Sequence, residues 1–321
     1  MGRVHFDCWR QSKVATLTAI SDRSPRKLAG EWGSNQFNLG DQAAGTVDLA
    51  GIATYQRAEE LFADPNVDIV DICMPTLMHA PLAIAALRAG KHVFCEKPMA
   101  LHIAECVAME EASLEAGRQL MIGHCLRYWP HYVRAKEILE SGEHGPAIYA
   151  KFFRTGALPL WSSGGWLMNA KESGGVLDMH IHDVDVALWW FGRPKTVLAM
   201  GHEENGLPLI VDAHWSYDDG LNAHLHSAWD RNGGTFRHGF ELVMEKATLS
   251  YDLAGDPNSL ILIREGAAKP LPMKLKPTAY QAELDDFAKC VAEGREMTRI
   301  TPEESRAAVE VGLEEMSQFS G

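Results

Sequence analysis

Between Ala15 and Gly123, short β-prone runs alternate with segments of helical period, and this alternation restricts the fold more than any other feature of the chain. Strands are expected at Ala15–Ser21, Ile52–Tyr55, Val67–Cys73, His92–Cys95 and Gln119–Gly123. Helices are expected at Arg3–Ser12, Pro25–Trp32, Arg57–Ala63, Leu77–Ala89 and Ile103–Ala116, with a looser segment over 33–49. Strands separated by helices at this interval imply right-handed βαβ units and a parallel sheet. After Gly123 the texture changes. A helix at His131–Ser141 is followed by strand-like runs at Ile148–Arg154, Thr196–His202, Leu209–Tyr217, Asn222–Trp229, Phe240–Met244, Thr248–Leu253 and Leu260–Arg264. With the turn Asp218-Asp219-Gly220 between two of them, they imply an open, largely antiparallel sheet. Helices at Ala279–Glu293 and Pro302–Phe319 close the chain. Two α/β domains are therefore expected, 1–123 and 124–321, in keeping with the 321-residue length.

The formal net charge of −13 argues against a nucleic acid or an anionic membrane as partner. No apolar run has the length of a membrane span, and the first residues lack the apolar core of a secretory signal. Six scattered cysteines without a C-x-x-C pair read as buried thiols of a reducing, cytoplasmic setting.

Three stretches carry chemistry. Pro98 stops the strand His92–Cys95, so Glu96 and Lys97 stand at a strand's carboxyl end, where open α/β sheets bind ligands. Lys97 is either a catalytic or binding cation or an ordinary surface lysine. Asp22 ends the second expected element about 20 residues after Gly2, the place of the ribose-binding carboxylate in a dinucleotide fold, which favours NAD. Its alternative is to cap the next helix, and Arg23 leaves NADP open. If Leu177 onward is helical, Asp178, His182 and Asp185 form one polar stripe, in which a carboxylate one turn from an imidazole raises its basicity. A metal site is not expected there, because His180 and His182 point apart. Trp161 and Trp166 flank Ser162-Ser163-Gly164-Gly165 and either cover a sugar or nicotinamide ring or pack under the loop. Arg127 follows the last strand of the first domain and could face a cleft. His224 and His226 share a sheet face, where a subunit interface or solvent is expected rather than a ligand, and no metal site is expected in the chain.

Gly2-Arg3-Val4-His5 matches only the last glycine of a G-x-G-x-x-G loop and the start of its helix. Losing the preceding central strand would expose about three aliphatic side chains, roughly 5 to 9 kcal/mol, against a typical total stability of about 5 to 15. The expectation is a start placed at an internal methionine, with an in-frame β-prone run ending in G-x-G encoded upstream; a real deletion is the alternative.

The combination resembles the Gfo/Idh/MocA oxidoreductases. The resemblance rests on Gly2-Arg3-Val4-His5, Asp22, Pro75-Thr76-Leu77-Met78-His79, Ala89 through Pro98, and Ser173-Gly174-Gly175 through Asp178, His182 and Asp185. It implies an N-terminal Rossmann domain, from which this chain departs in the absent first strand and front of the glycine loop, and a C-terminal α/β domain used for homo-oligomerisation. It implies NAD(P)-dependent oxidation or reduction at a secondary alcohol or ketone of a sugar or cyclitol. By the same resemblance Lys97 polarises the reacting oxygen, His182 exchanges its proton and Asp178 holds the histidine or a substrate hydroxyl. Gly2, Asp22, Arg23, Pro75, Thr76, His79, Glu96 and Lys97 meet the cofactor, and Arg127, Trp161, Trp166, Asp178 and His182 meet the substrate. Rival expectations are a non-catalytic dinucleotide or sugar sensor and an NAD-dependent glycosidase of the same fold.

Overall fold

The computed structural model describes residues 1–33, 35–37, 40–42 and 45–319, so the expected loose segment 33–49 lies partly outside the described residues. The chain forms two compact units. The first comprises Met1–Gly123, Trp161–Ser163 and Tyr280–Arg306, and the second the remainder.

In the first unit α1 (Gly2–Gln11) precedes β1 (Ala19–Ser21), α2 (Pro25–Leu28), β2 (Glu31–Trp32), β3 (Asn35–Phe37), β4 (Gly40–Gln42) and β5 (Gly45–Thr46). β6 (Ala53–Tyr55), α3 (Ala58–Phe62), β7 (Ile69–Ile72), α4 (His79–Arg88), β8 (His92–Cys95), α5 (Ile103–Ala116) and β9 (Leu120–Ile122) follow. β1 pairs with β6, β7 with β8 and β8 with β9, all parallel, while β2–β5 and β3–β4 are small antiparallel pairs. The order β6-β1 and β7-β8-β9 is that of a doubly wound dinucleotide sheet. It falls into two separate sheets, and among the described residues no strand joins β1 to β7. β8 and β9 are buried almost throughout, as parallel strands covered on both faces must be. α5 turns Cys106, Met109 and Ala112 inward and ends at Gly117, whose left-handed φ of 59° lets Arg118 N–H reach Ser113 O.

Two elements are shorter than their patterns suggest. Ser12 Oγ accepts the N–H groups of Val14 and Ala15, so these amides serve a turn and the strand begins only at Ala19. The helix starting at Pro25 stops at Leu28 because Gly30 takes φ 84° to let the backbone of Val47 approach.

The second unit is built on α6 (Pro130–Glu140), β10 (Ala147–Ala157), α7 (Ala170–Ser173), α8 (Leu177–Phe191) and seven strands. These are β11 (Thr196–Glu204), β12 (Leu207–Ser216), β13 (Asn222–Asp230), β14 (Arg237–Met244), β15 (Thr248–Asp252), β16 (Ser259–Arg264) and β17 (Ala267–Pro272). They make one sheet in the order β11-β12-β13-β10-β14-β15-β16-β17, antiparallel at every step except β10–β13. Alternate residues, such as Val211, Ala213 and Trp215 on β12 and Leu225 and Ser227 on β13, are buried on the face that carries α8. β17 is absent from the sequence reading because Pro270 and Pro272 speak against a strand, and it is tolerated here because it is an exposed edge.

The last helices are α9 (Ala279–Glu293) and α10 (Pro302–Met316). The sequence reading runs the second domain unbroken to residue 321, whereas Tyr280–Arg306 packs with the first unit. Phe287 on α9 meets Phe94 of β8 edge to face at 6.0 Å, and Gln119 bonds the carbonyl of Arg295.

Candidate active site

At the carboxyl end of β8, Glu96 is buried and Lys97 half-buried. Lys97 N–H donates to Glu96 Oε2 at 3.2 Å. Burial would raise the Glu96 pKa, but His5, Lys97 and the chain's amino group outweigh it and hold the carboxyl at about 2. In the neighbouring turn after β7, Pro75 opens a short 3-10 helix, Thr76–Met78. His79 behind it sets Nδ1 2.7 Å from Pro98 O and Nε2 2.8 Å from Met74 O, fastening this turn to the Lys97–Pro98 segment. Burial lowers the His79 pKa, so a neutral ring donates to one of the two carbonyls. The Thr76 hydroxyl is buried and has no hydrogen-bond partner among the described residues.

Gly2 begins α1, where a Cβ would meet Cys73 Cβ at an ordinary 3.6 Å. Asp22, at the end of β1, accepts from Ser24 N–H at 2.8 Å and from Lys27 Nζ at 2.9 Å. The helix cap proper is Ser24. Arg23 beside Asp22 is exposed.

A polar cluster that the sequence reading missed lies in the same unit. His5 Nδ1 is 2.9 Å from Asp71 Oδ2, and its Nε2 is 3.0 Å from Glu96 Oε1. Trp9 Nε1 donates to Asp71 at 2.7 Å, and Cys73 Sγ is 3.2 Å from His5 Nδ1. Burial opposes a charge on His5, yet Asp71 and Cys73 raise its pKa well above the ordinary value. Glu283 of α9 is also near, fully buried, with neither oxygen hydrogen-bonded among the described residues. Burial first, then the charge of Glu96, pushes its pKa well up.

In the second unit α8 sorts its ionisable residues into two sets. Asp183 meets Arg154 through two bonds of 2.9 and 3.0 Å, and Asp185 meets Arg127 through bonds of 2.8 to 3.1 Å, all of them buried. His180 faces Ser227 Oγ at 2.9 Å and Glu315 Oε2 at 2.7 Å, and Glu315 also accepts from Trp215 Nε1. Asp178 and His182, one turn apart, are the two that keep partial exposure. Asp185 thus leaves the expected polar stripe for Arg127, and Arg127 is 1% exposed against it. Trp161, 37% exposed, belongs to the first unit. Trp166 in the second is half-buried, on a stretch where Gly164 and Gly165 take φ of 70° and 72°.

The two units are thus a nucleotide-fold α/β domain and an α/β domain on an open antiparallel sheet, the architecture of two-domain oxidoreductases. Residues 1–124 match the sequence profile of an oxidoreductase family with an NAD-binding Rossmann fold, and residues 132–250 match that of the Gfo/Idh/MocA C-terminal domain. The chain belongs to this family. Myo-inositol 2-dehydrogenase of Thermotoga maritima is 34% identical over 195 residues, 60% of this chain and 52% of its own. The scyllo-inositol 2-dehydrogenase (NAD(+)) of Bacillus subtilis is 27% identical over 277 residues, 81% of this chain and 78% of its own. The chain spans about half the length of several curated relatives, 44% and 63% in two further cases. Among solved structures, levoglucosan dehydrogenase in complex with NADH and levoglucosan superposes with a TM-score of 0.83 at 19% identity, covering 99% of this chain and 94% of that one. Aldose-aldose oxidoreductase from Caulobacter crescentus gives 0.82 at 24% identity, covering 98% and 93%. No helix among the described residues is long and apolar enough to cross a membrane.

Proposed function

We propose that this protein transfers a hydride between a nicotinamide cofactor and a secondary alcohol or ketone of a sugar or cyclitol. The observation that carries the reading is on α8, where Asp178 and His182 alone among the helix's ionisable residues keep partial exposure while the others are buried against partners. A proton-transfer pair has to be kept accessible, and a purely structural helix has no need of one.

The residues of the first unit fit a nicotinamide dinucleotide. The buried Thr76 hydroxyl, at the carboxyl side of β7, has no partner among the described residues, and Asp22 stands at the end of β1, where such folds place a ribose ligand. Gly2, Asp22, Arg23, Pro75, Thr76 and Lys97 would hold it, with NAD favoured over NADP by the Asp22 charge; His79 and Glu96, buried with their polar atoms already engaged, fix the turns beneath it rather than meeting it. Bound there, the cofactor supplies the hydride acceptor or donor. Lys97 offers its ammonium to the reacting oxygen, His182 exchanges that oxygen's proton, and Asp178 orients His182. Arg127 steadies α8 through Asp185, and Trp161 and Trp166 offer flat faces to the substrate. The protein is cytoplasmic in this reading and associates into homo-oligomers through the C-terminal sheet.

A screen of sugars and cyclitols read by cofactor fluorescence tests this. Lys97→Met should lower turnover about a hundred- to ten-thousand-fold with cofactor binding nearly intact; unchanged turnover removes Lys97 from the mechanism. Asp22→Ser should improve NADP use relative to NAD, and a wild type that already prefers NADP would make Arg23 the phosphate contact. Substrate-dependent binding without reduced cofactor at any stage would favour the sensor.

A further inference from the structure

On the sheet face turned away from α8, β12 and β13 set four side chains in a two-by-two array. Asp212 registers opposite His226, and His214 opposite His224. Residues i and i+2 of one strand and their partners on the next share one face, with opposed Cβ atoms about 4.5 to 5.5 Å apart. Three imidazoles therefore crowd one carboxylate. Asp212 Oδ1 lies 2.7 Å from His224 Nε2 and 3.5 Å from His214 Nε2, and one ligand atom from each of the three falls within 4.8 Å of the others. The rings of His214 and His224 stack at 4.5 Å and 10°.

We propose that Asp212, His214 and His224 form a zinc-class divalent metal site on the open face of this sheet, outside the residues of the proposed hydride transfer. Two imidazole nitrogens and a carboxylate oxygen are a three-ligand zinc set, and strand-borne ligands at i, i+2 and across suit tetrahedral coordination. Bonds of about 2.0 to 2.1 Å in a tetrahedron put ligand atoms about 3.3 Å apart. The 3.5 Å separation already matches, and the 2.7 Å one opens by about 0.6 Å if a metal replaces the shared proton. The stacked rings do not aim both Nε2 lone pairs at one point, so binding requires His214, whose side chain is 61% exposed, to turn out of the stack. His226 Nδ1 holds the other carboxylate oxygen at 3.0 Å and so orients Asp212. Lys151 registers beside His224 on β10, with Glu241 opposite it on β14. The fourth position faces away from the sheet and takes water, or a group of the second copy where this face is covered in a homo-oligomer. The other close donor set, His5, Asp71 and Cys73, is a poorer one because both ring nitrogens of His5 already face carboxylates.

The test is metal uptake by the full chain, stripped with a chelator and titrated with Zn²⁺ alone, with content read by elemental analysis and affinity by calorimetry. One zinc per chain is expected, lost in His214→Gln/His224→Gln, and weakened about 10- to 100-fold in His226→Gln. Co²⁺ in its place should give the intense visible bands of a four-coordinate ion. The replaced side chains lie on the sheet surface, and circular dichroism and the melting curve check that the fold survives. A wild type that takes up no stoichiometric zinc, or a double variant that keeps it, overturns the assignment.

Discussion

In the second unit each buried aspartate of α8 meets its own guanidinium in a two-point contact, whereas in the first three buried or half-buried carboxylates crowd around one imidazole. The first arrangement is self-contained. Desolvation is offset by a neighbour of matched shape and opposite charge. The second is a shared proton economy. His5 bonds Asp71 and stands 3.0 Å from Glu96, while burial pushes the Glu283 pKa well up and so favours its neutral form. Fixed pairing makes a rigid platform for Asp178 and His182, while the region behind Lys97 depends on protonation.

That contrast is broken most strongly at Asp183. Asp183→Asn leaves Arg154 buried without its counter-charge and should cost about 3 to 5 kcal/mol, seen as a fall in denaturant midpoint. Arg154→Met combined with Asp183→Leu should recover most of the loss; failure to recover would mean that the pair contributes more than electrostatic balance.

The next effect is a pH profile. The Glu96 pKa is lowered to about 2, so its stabilisation is complete above the unfolded value of 4.5 and is lost as pH falls toward 2, on the order of 3 kcal/mol. His5 has the opposite sign. Its raised pKa gives stability that is complete below 6.5 and is lost as pH rises through the folded value. Denaturation across this range should show the acid-side loss, and His5→Gln should shrink it. An unchanged acid limb in the variant would break the assigned coupling.

The smallest expected effect is a gain. Glu283→Met removes a buried acid that has no hydrogen-bond partner among the described residues and should stabilise the protein by roughly 1 to 3 kcal/mol near neutral pH. Because the Glu283 pKa is raised, the wild-type penalty grows as pH climbs above 4.5, and the gain should grow with it. A gain that is flat with pH would place the benefit in packing alone.

The sequence made the regular elements readable because a periodic apolar pattern is a local signal. α5, β8 and the hairpin at Gly220 stand where their patterns put them. The i, i+4 placement of Asp178 and His182 on α8 was equally local, one helical turn. What could not be read joins distant residues: His5 and Asp71 are 66 positions apart, Arg127 and Asp185 are 58 apart, and His180 finds Glu315 135 positions on. Among helical residues with similar spacing, only the tertiary packing decides which acid is buried and which stays partly exposed. A signal did exist for the missed cluster. Asp71 interrupts an otherwise apolar buried strand, and such a residue asks for a partner.

The return of Tyr280–Arg306 to the first unit has a consequence for synthesis. A nascent chain emerging from the ribosome cannot complete its amino-terminal body when residue 123 appears, since the helix carrying Phe287 and Glu283 is still untranslated. About 150 residues later the covering piece arrives, and until then the apolar face of β8 that Phe287 covers stands bare to chaperones and proteases. The first part of this protein to be made is among the last to be finished.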